Sequence, residues 1–297
     1  MENMYLVIDV GGTAIKYALM SEEGEFIEKD KVKTPQDTIE NFVETIGGIY
    51  DKYSTKIKGI AISMPGILDA KRGYAHSGGA LRYNENKEIV KILKERCPTN
   101  ITIENDGKCA ALAELWKGAL KGCNNAAVVV LGTGVGGGVI IDGKIHRGRN
   151  FFAGEFSYMR NNAAAKNDDF NLWGFNNGAE ILSLIFAEKK GLDPKEVDGF
   201  KIFESINSGD KETLEVLDIF ANNLAAQIVN IQCIIDPEKV AIGGGISSQP
   251  ILIEYINKKL EEQYDSISFY TPRIKVEKCK FCNDSNLIGA LYNYLYN

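Results

Sequence analysis

The stretch Ile8-Asp9-Val10-Gly11-Gly12-Thr13-Ala14-Ile15-Lys16 decides how the rest of the chain is read. A β-rich run from Tyr5 to Ile8 breaks at Gly11-Gly12 and resumes from Ala14 to Met20, which predicts strand, tight turn, strand. Glycines let backbone N–H groups approach phosphate oxygens closely, and the Thr13 hydroxyl can donate a further hydrogen bond. Asp9, at the strand end, can hold Mg²⁺ through water, because magnesium keeps much of its hydration shell. The competing reading is a plain hairpin turn; Asp9, Thr13 and Lys16 weigh toward a phosphate site.

The pattern starts again in the middle of the chain. Residues 126–131 (AAVVVL) read as a strand, 132–138 (GTGVGGG) as a glycine-rich turn and 139–141 (VII) as a returning strand. Gly132, Gly134 and Gly137 spell a literal G-x-G-x-x-G, but the dinucleotide fingerprint needs a helix directly after the glycines and an acid about 20 positions later. Here Val139-Ile140-Ile141 leads into Asp142-Gly143, a strand and a second hairpin turn. A glycine loop between two strands, echoing Gly11-Gly12-Thr13, fits a second phosphate clamp better, with Thr133 and Gly134 as its binding residues. Two glycine-broken hairpins, one opening each half, predict an α/β chain with an internal pseudo-repeat.

Outward from these hairpins, apolar spacing predicts helices over 38–54, 87–96, 111–120, 179–187, 211–235 and 250–263. Strands are expected over 58–63, ending at Pro65-Gly66, and over 101–104, 239–242 and 273–278. A last helix runs through LIGALYNYL.

Three further segments carry chemistry. Asn105 and Asp106 stand between a strand and a helix, at the carboxyl edge where open α/β sheets bind ligands. Read alone, helix capping is the stronger explanation of that pair, since both residue types are preferred caps. Glu155, in FFAGEFSYM, could grip sugar hydroxyls through charge-assisted hydrogen bonds, or be an ordinary loop acid. Gly243-Gly244-Gly245 after a strand lets either a flat ligand or a helix pack closely.

Composition narrows the field. The chain has 297 residues, a formal net charge of −6, 44% hydrophobic and 25% charged residues. Length favours two domains, and the acidic balance argues against a nucleic-acid partner. No stretch approaches the roughly 18 uncharged apolar residues of a membrane span, and the start lacks a signal-peptide pattern, so a cytoplasmic protein with no membrane partner is expected. Six cysteines do not make a disulfide framework at this size. Cys279-x-x-Cys282 lacks a second ligand pair, and in an extended strand positions i and i+3 point to opposite faces. His76 and His146 read as loop residues without a triad partner.

Taken in order, these segments resemble the ROK family of sugar kinases: Asp9–Lys16, Glu104-Asn105-Asp106, the 132–138 loop, Ala153-Gly154-Glu155, Gly243–Gly245 and Asn283-Asp284…Leu287-Ile288-Gly289-Ala290. The resemblance spans nearly the whole chain. It implies an actin-like (ribonuclease H-like) ATPase fold, two domains with a nucleotide and sugar cleft between them. One lobe would comprise 1–106 plus 284–297. The other, 107–283, would carry the adenosine side and the contacts of a homodimer. It implies ATP with Mg²⁺ as cofactors, Asp106 as the catalytic base and Asp9 as the water-mediated metal ligand. ATP would be bound by Asp9, Gly11, Gly12, Thr13, Lys16, Gly132, Thr133, Gly134, Gly136, Gly243, Gly244 and Gly245, and the sugar by Gly66, Gly79, Asn105, Asp106, Glu155 and Tyr158.

Two departures stand out. Family members commonly have a His soon after the Gly-Glu pair and then a Cys-rich zinc cluster; here Tyr158 holds the His position and 157–178 contains neither Cys nor His. Structural zinc needs four N or S ligands, so no zinc is expected. Lys108 stands where Asn is usual. SGGALRYN (77–84) and AGEFSYM (153–159) look most like the β-glucoside kinase branch, which implies a β-glucoside acceptor such as cellobiose. Glucose or N-acetylmannosamine kinases are the alternatives, and an actin-like regulatory protein is the non-enzyme one. Relatives that act as repressors carry an N-terminal helix-turn-helix; with Asp9 already in the nucleotide motif, none is expected here.

Overall fold

The computed structural model describes residues 3–162 and 171–297. The chain forms two compact units. Unit 1 comprises Met1–Trp116, Arg147–Ala153 and Asp284–Asn297, and unit 2 comprises Lys117–His146 and Gly154–Asn283.

Unit 1 is built on a five-stranded sheet. In chain order it contains β1 (Met4–Val10), β2 (Ala14–Ser21), β3 (Phe26–Lys33), α1 (Ile39–Tyr53), β4 (Ile57–Met64), the short β5 (Leu68–Asp69) and β6 (Tyr74–Ala75), α2 (Ile89–Arg96), β7 (Asn100–Asn105) and α3 (Asp106–Lys117). The sheet order is β3-β2-β1-β4-β7, with β1–β2–β3 antiparallel and β1, β4 and β7 parallel. Nearly all of β1 is buried, as a central strand covered on both faces must be. Phe42, Ile46 and Ile49 of α1 and Leu93 of α2 join Leu6, Ile8, Ile60 and Ile62 in one apolar core. The closing helix α9 (Ser285–Tyr296) packs on β1, β4 and β7, and its Gly289 lies so close to the Cys109 carbonyl that a methyl group would overlap it.

Unit 2 repeats the plan. It contains β8 (Ala126–Leu131), β9 (Val135–Ile141), β10 (Lys144–His146), α4 (Gly174–Asn177), α5 (Ala179–Lys190), α6 (Gly199–Asn207), α7 (Lys211–Ile235), β11 (Lys239–Gly243), α8 (Pro250–Asp265) and β12 (Val276–Lys278). Its sheet runs β10-β9-β8-β11-β12, again an antiparallel hairpin continued by parallel strands. The core between this sheet and its helices holds Leu131, Trp173, Phe186, Phe220, Leu224, Ile242 and Ile256. The expected pseudo-repeat is thus present as two sheets of the same order.

Two local readings are corrected, and one strand goes unread. The second glycine turn is only residues 132–134; Gly136, Gly137 and Gly138 belong to β9 and pair with Val130, Val129 and Val128. Gly137 is glycine because the Phe156 ring and the Val128 carbonyl fill the place of its side chain. The helix expected from 111 begins at Asp106. Finally, β3 escapes sequence pattern because FIEKDKVK is mostly exposed and carries no buried alternate face.

Candidate active site

In unit 1, Asp9 stands one residue before the end of β1, beside Ser63 of β4, its register partner, and across the hairpin from Lys16. Its Oδ1 accepts hydrogen bonds from Ser63 Oγ (3.2 Å) and Asn286 Nδ2 (3.0 Å), and Lys16 Nζ stands 3.8 Å from Oδ2. Only 6% of Asp9 is exposed. That burial pushes its carboxyl above the ordinary range, against the downward pull of Asn286, Lys16 and Ser63. Sequence reading gave Asp9 and Lys16 but missed Ser63 and Asn286, because nothing local marks an Asn on the last helix as a neighbour of the first strand.

The Gly11–Thr13 turn is pinned by its carbonyls. Gly11 N–H closes the turn on Ala14 O at 3.1 Å. Thr34 Oγ1 donates to Gly11 O (2.7 Å), Gln36 Nε2 to Gly12 O (2.6 Å) and Thr34 N to Thr13 O (3.0 Å). All three carbonyls are engaged from the 34–36 side. Among the described residues the Gly12 and Thr13 amides have no protein acceptor. A turn held this way presents donors, as an anion requires. By its chemistry the site also fits hydrated magnesium, which takes one or two carboxylates and keeps several waters: a single hard carboxylate stands here, with no cluster of three His, Cys, Asp or Glu among the described residues.

Unit 1 also brings Gly66, Gly79, Asn105 and Asp106 together. Gly66 has φ +110° and packs on the Ser77 carbonyl, where a methyl group would overlap; Gly79 has φ +57° and lies against Pro65 and the Gly66 amide. Both positions require glycine. Asn105 Nδ2 donates to Gly66 O (3.0 Å) and to Asp106 Oδ1 (3.0 Å), while its Oδ1 accepts the Lys108 amide (3.1 Å). Asn105 is therefore the residue that caps α3. Asp106 stands one position inside the helix, half-buried, with Oδ1 also accepting Gly107 N–H (2.8 Å). Lys108 is buried.

Beneath this pair lies an ion pair that sequence did not single out. Glu104 is fully buried; its Oε1 accepts the Asn105 amide (2.8 Å) and its Oε2 meets Arg147 Nε at 2.7 Å. Arg147 also donates to Asn293 Oδ1 (2.9 Å). The signal was present as the acid before Asn105-Asp106, but its partner is 43 residues away.

In unit 2 the glycine segments converge. Gly132 N–H closes on Gly134 O (3.0 Å), and the first amide of α5, Ala179, donates to Gly132 O (2.8 Å). Gly178 and Gly244 (φ +92°) leave no room for a methyl group against the Thr133 and Leu131 carbonyls respectively, whereas Gly132 and Gly245 have open space. Ser247 and Ser248 hydroxyls donate to the Gly244 and Gly245 carbonyls. Ser157 ties the Ala153–Tyr158 segment to the same loop, donating to Val135 O (2.8 Å) and accepting from Val135 N (3.2 Å). Gly154 packs on the Gly137–Gly138 backbone of β9, and the next residue, Glu155, is half-buried. Tyr158 is 54% exposed. Gly136 faces outward from within β9, and Gly243 pairs with Val130. Part of the stretch from which zinc was judged absent, residues 163–170, lies outside the described residues.

Two α/β units of matching strand order, each with a glycine turn after its first strand, define the actin-like ATPase fold. Residues 5–295 match the profile of the ROK family, and the chain belongs to that family. It is 30% identical to the beta-glucoside kinase of Listeria monocytogenes over 97% of this chain and 96% of the other. It is 29% identical to the N-acetyl-D-glucosamine kinase of Vibrio atlanticus, over 97% and 99%. A ROK family protein of Streptococcus pneumoniae, solved in complex with sucrose, superposes with a TM-score of 0.87 at 33% identity, covering 98% of each chain. The chain is an ATP-dependent carbohydrate kinase.

Proposed function

We propose that the chain transfers the γ-phosphoryl group of ATP to a primary hydroxyl, at C6, of a β-glucoside such as cellobiose, with Asp106 as the base. The observation that carries the reading is the division of labour at the start of α3. Asn105 supplies the helix cap, so the Asp106 carboxylate is not needed for it. A half-buried carboxylate held by the Asn105 and Gly107 donors can accept a hydroxyl proton as the oxygen attacks phosphorus. In-line phosphoryl transfer asks little covalent chemistry of the protein; positioning and charge stabilisation do most of it.

The roles divide by unit. In unit 1, the Gly12 and Thr13 amides and the Lys16 ammonium bind phosphate oxygens, and Gly66, Gly79 and Asn105 line the sugar. In unit 2, Gly132, Thr133, Gly134 and Gly136 bind phosphate, Gly243–Gly245 pack against the nucleoside, and Glu155 and Tyr158 meet sugar hydroxyls. Asp9 would hold hydrated Mg²⁺, which neutralises charge on the phosphates when bound. The protein works as a homodimer in the cytoplasm, without zinc or nucleic acid. Among the described residues no helix is long and apolar enough to cross a membrane.

A two-ring acceptor is supported by the kinship with a beta-glucoside kinase and by the disaccharide held in the Streptococcus pneumoniae structure. The test is a coupled ADP-release screen over cellobiose, gentiobiose, glucose, fructose, N-acetylglucosamine and N-acetylmannosamine. Cellobiose should give a higher kcat/KM than glucose. A clear preference for glucose or an N-acetylated sugar would move the protein to another branch and leave the kinase reading intact.

A further inference from the structure

The segment Arg147–Ala153 packs with unit 1 although residues of unit 2 flank it on both sides. It is a closed loop, with Ala153 N–H on Arg147 O at 3.2 Å, and the Glu104–Arg147 ion pair fixes its base. The same Glu104 carboxylate accepts the Asn105 amide. One buried side chain therefore links this loop to the Asn105-Asp106 pair.

At the tip of the loop, Phe151 has φ +60°. For a bulky side chain that is an outlier, and such conformations persist where surrounding structure holds them, often at binding sites. Its ring stacks on the His76 imidazole, centroids 5.5 Å apart and planes 20° apart. Tyr74 meets the other side of the row edge-on, 4.9 Å from His76, and the Arg72 guanidinium lies 5.2 Å from the Tyr74 ring. Tyr74 opens the short strand β6, His76 directly follows it, and Arg72 stands in the turn before it. His76 is exposed, and Tyr74 and Phe151 are half-buried. The row also joins the sugar side directly: His76 and Ser77 both donate their amides to Ile67 O, and the Ser77 carbonyl packs against Gly66.

We propose that the His76–Phe151 stack, continued by Tyr74, is the platform for the second ring of the acceptor, the one that is not phosphorylated. The inference rests on the β-glucoside reading above and deepens it. In a β-glucopyranoside the hydroxyls are equatorial, so each ring face is a patch of axial C–H groups. Such a patch lies flat on an aromatic surface, which offers large apolar contact at small entropic cost and tolerates variation in the hydroxyls around it. The Arg72 end of the row supplies donors for those peripheral hydroxyls.

The test is the ratio of kcat/KM for cellobiose to that for glucose, and likewise for an aryl β-glucoside, in wild type, Phe151→Gly, His76→Ala and His76→Phe. Glycine suits the left-handed backbone at 151 and removes only the ring; thermal melts on the same samples report folding. Losing one aromatic contact should lower both ratios by roughly three- to tenfold, while His76→Phe, which keeps a flat ring, should hold them near wild type. Unchanged ratios in Phe151→Gly and His76→Ala overturn the platform, while wild-type turnover of cellobiose would keep the β-glucoside reading. Wild-type enzyme that turns over only one-ring sugars overturns the β-glucoside reading itself, and the platform with it.

Discussion

Replacing Asp106 by Asn separates catalysis from folding, and the structure sets both magnitudes. The cap of α3 is Asn105, whose Oδ1 takes the Lys108 amide at 3.1 Å, so the substitution leaves the cap in place. The new amide oxygen can still accept from Gly107 N–H and Asn105 Nδ2, which Asp106 Oδ1 now serves at 2.8 and 3.0 Å. What the fold loses is a negative charge in the first helical turn, worth about 0.3–1 kcal/mol at a partly exposed site. That corresponds to a fall in Tm of no more than about 4 °C. The chemistry loses its base, typically ~10²–10⁴-fold in rate, or about 3–5 kcal/mol of barrier. The catalytic effect should therefore exceed the structural one severalfold. The assay is steady-state phosphorylation of the best acceptor and a thermal melt on one preparation, with Asn105→Ala alongside. That companion removes the cap, about 0.5–2 kcal/mol, and should melt lower than Asp106→Asn. If Asp106→Asn turns over within a few-fold of wild type while melting like it, Asp106 is not the base and the mechanism is wrong. If it melts below Asn105→Ala, the assignment of the cap is wrong.

Other expectations follow from the same geometry. Gly132→Ala enters open space, so it should leave the melt unchanged yet raise KM for ATP, measured against fixed acceptor; an unaltered KM would remove Gly132 from the phosphate site. Gly244→Ala has no such room beside the Leu131 carbonyl and a φ of +92°; it should destabilise the protein by at least about 1–3 kcal/mol in urea titration. Arg147→Leu strands the buried Glu104 carboxylate, a loss of about 3–5 kcal/mol by the same titration, and adding Glu104→Gln should recover part of it. The purified protein should carry no stoichiometric zinc and keep its activity in chelator once Mg²⁺ is resupplied; elemental analysis showing one tightly bound zinc per chain would contradict this.

Sequence alone determined the architecture because its evidence is local. A glycine pair between two β-rich runs can hardly be anything but a turn, and the recurrence of that pattern near Leu131 declares two units of one plan. Asp9 and Asn105-Asp106 stood out as candidates for the same reason, each being a polar residue at the edge of a strongly patterned element, and Glu155 stood out as an acid after a glycine in an apolar run. Where pattern fades, sequence was silent, as at β3, whose exposed charges carry no periodic burial, or misplaced a boundary, as at Gly136–Gly138. Those three glycines look like a turn, yet they pair with β8 as a strand, and Gly137 is glycine because the Phe156 ring and the Val128 carbonyl occupy the place of its side chain. The tertiary structure decided everything that joins residues distant in sequence. It set Asn286 and Ser63 on Asp9, closed Glu104 on Arg147, and stacked Phe151 on His76, 75 positions earlier. It also settled which of two adjacent capping residues caps. Asn and Asp are equally good caps by type; only the placement of the first helical turn gave that work to Asn105 and set Asp106 one position inside the helix.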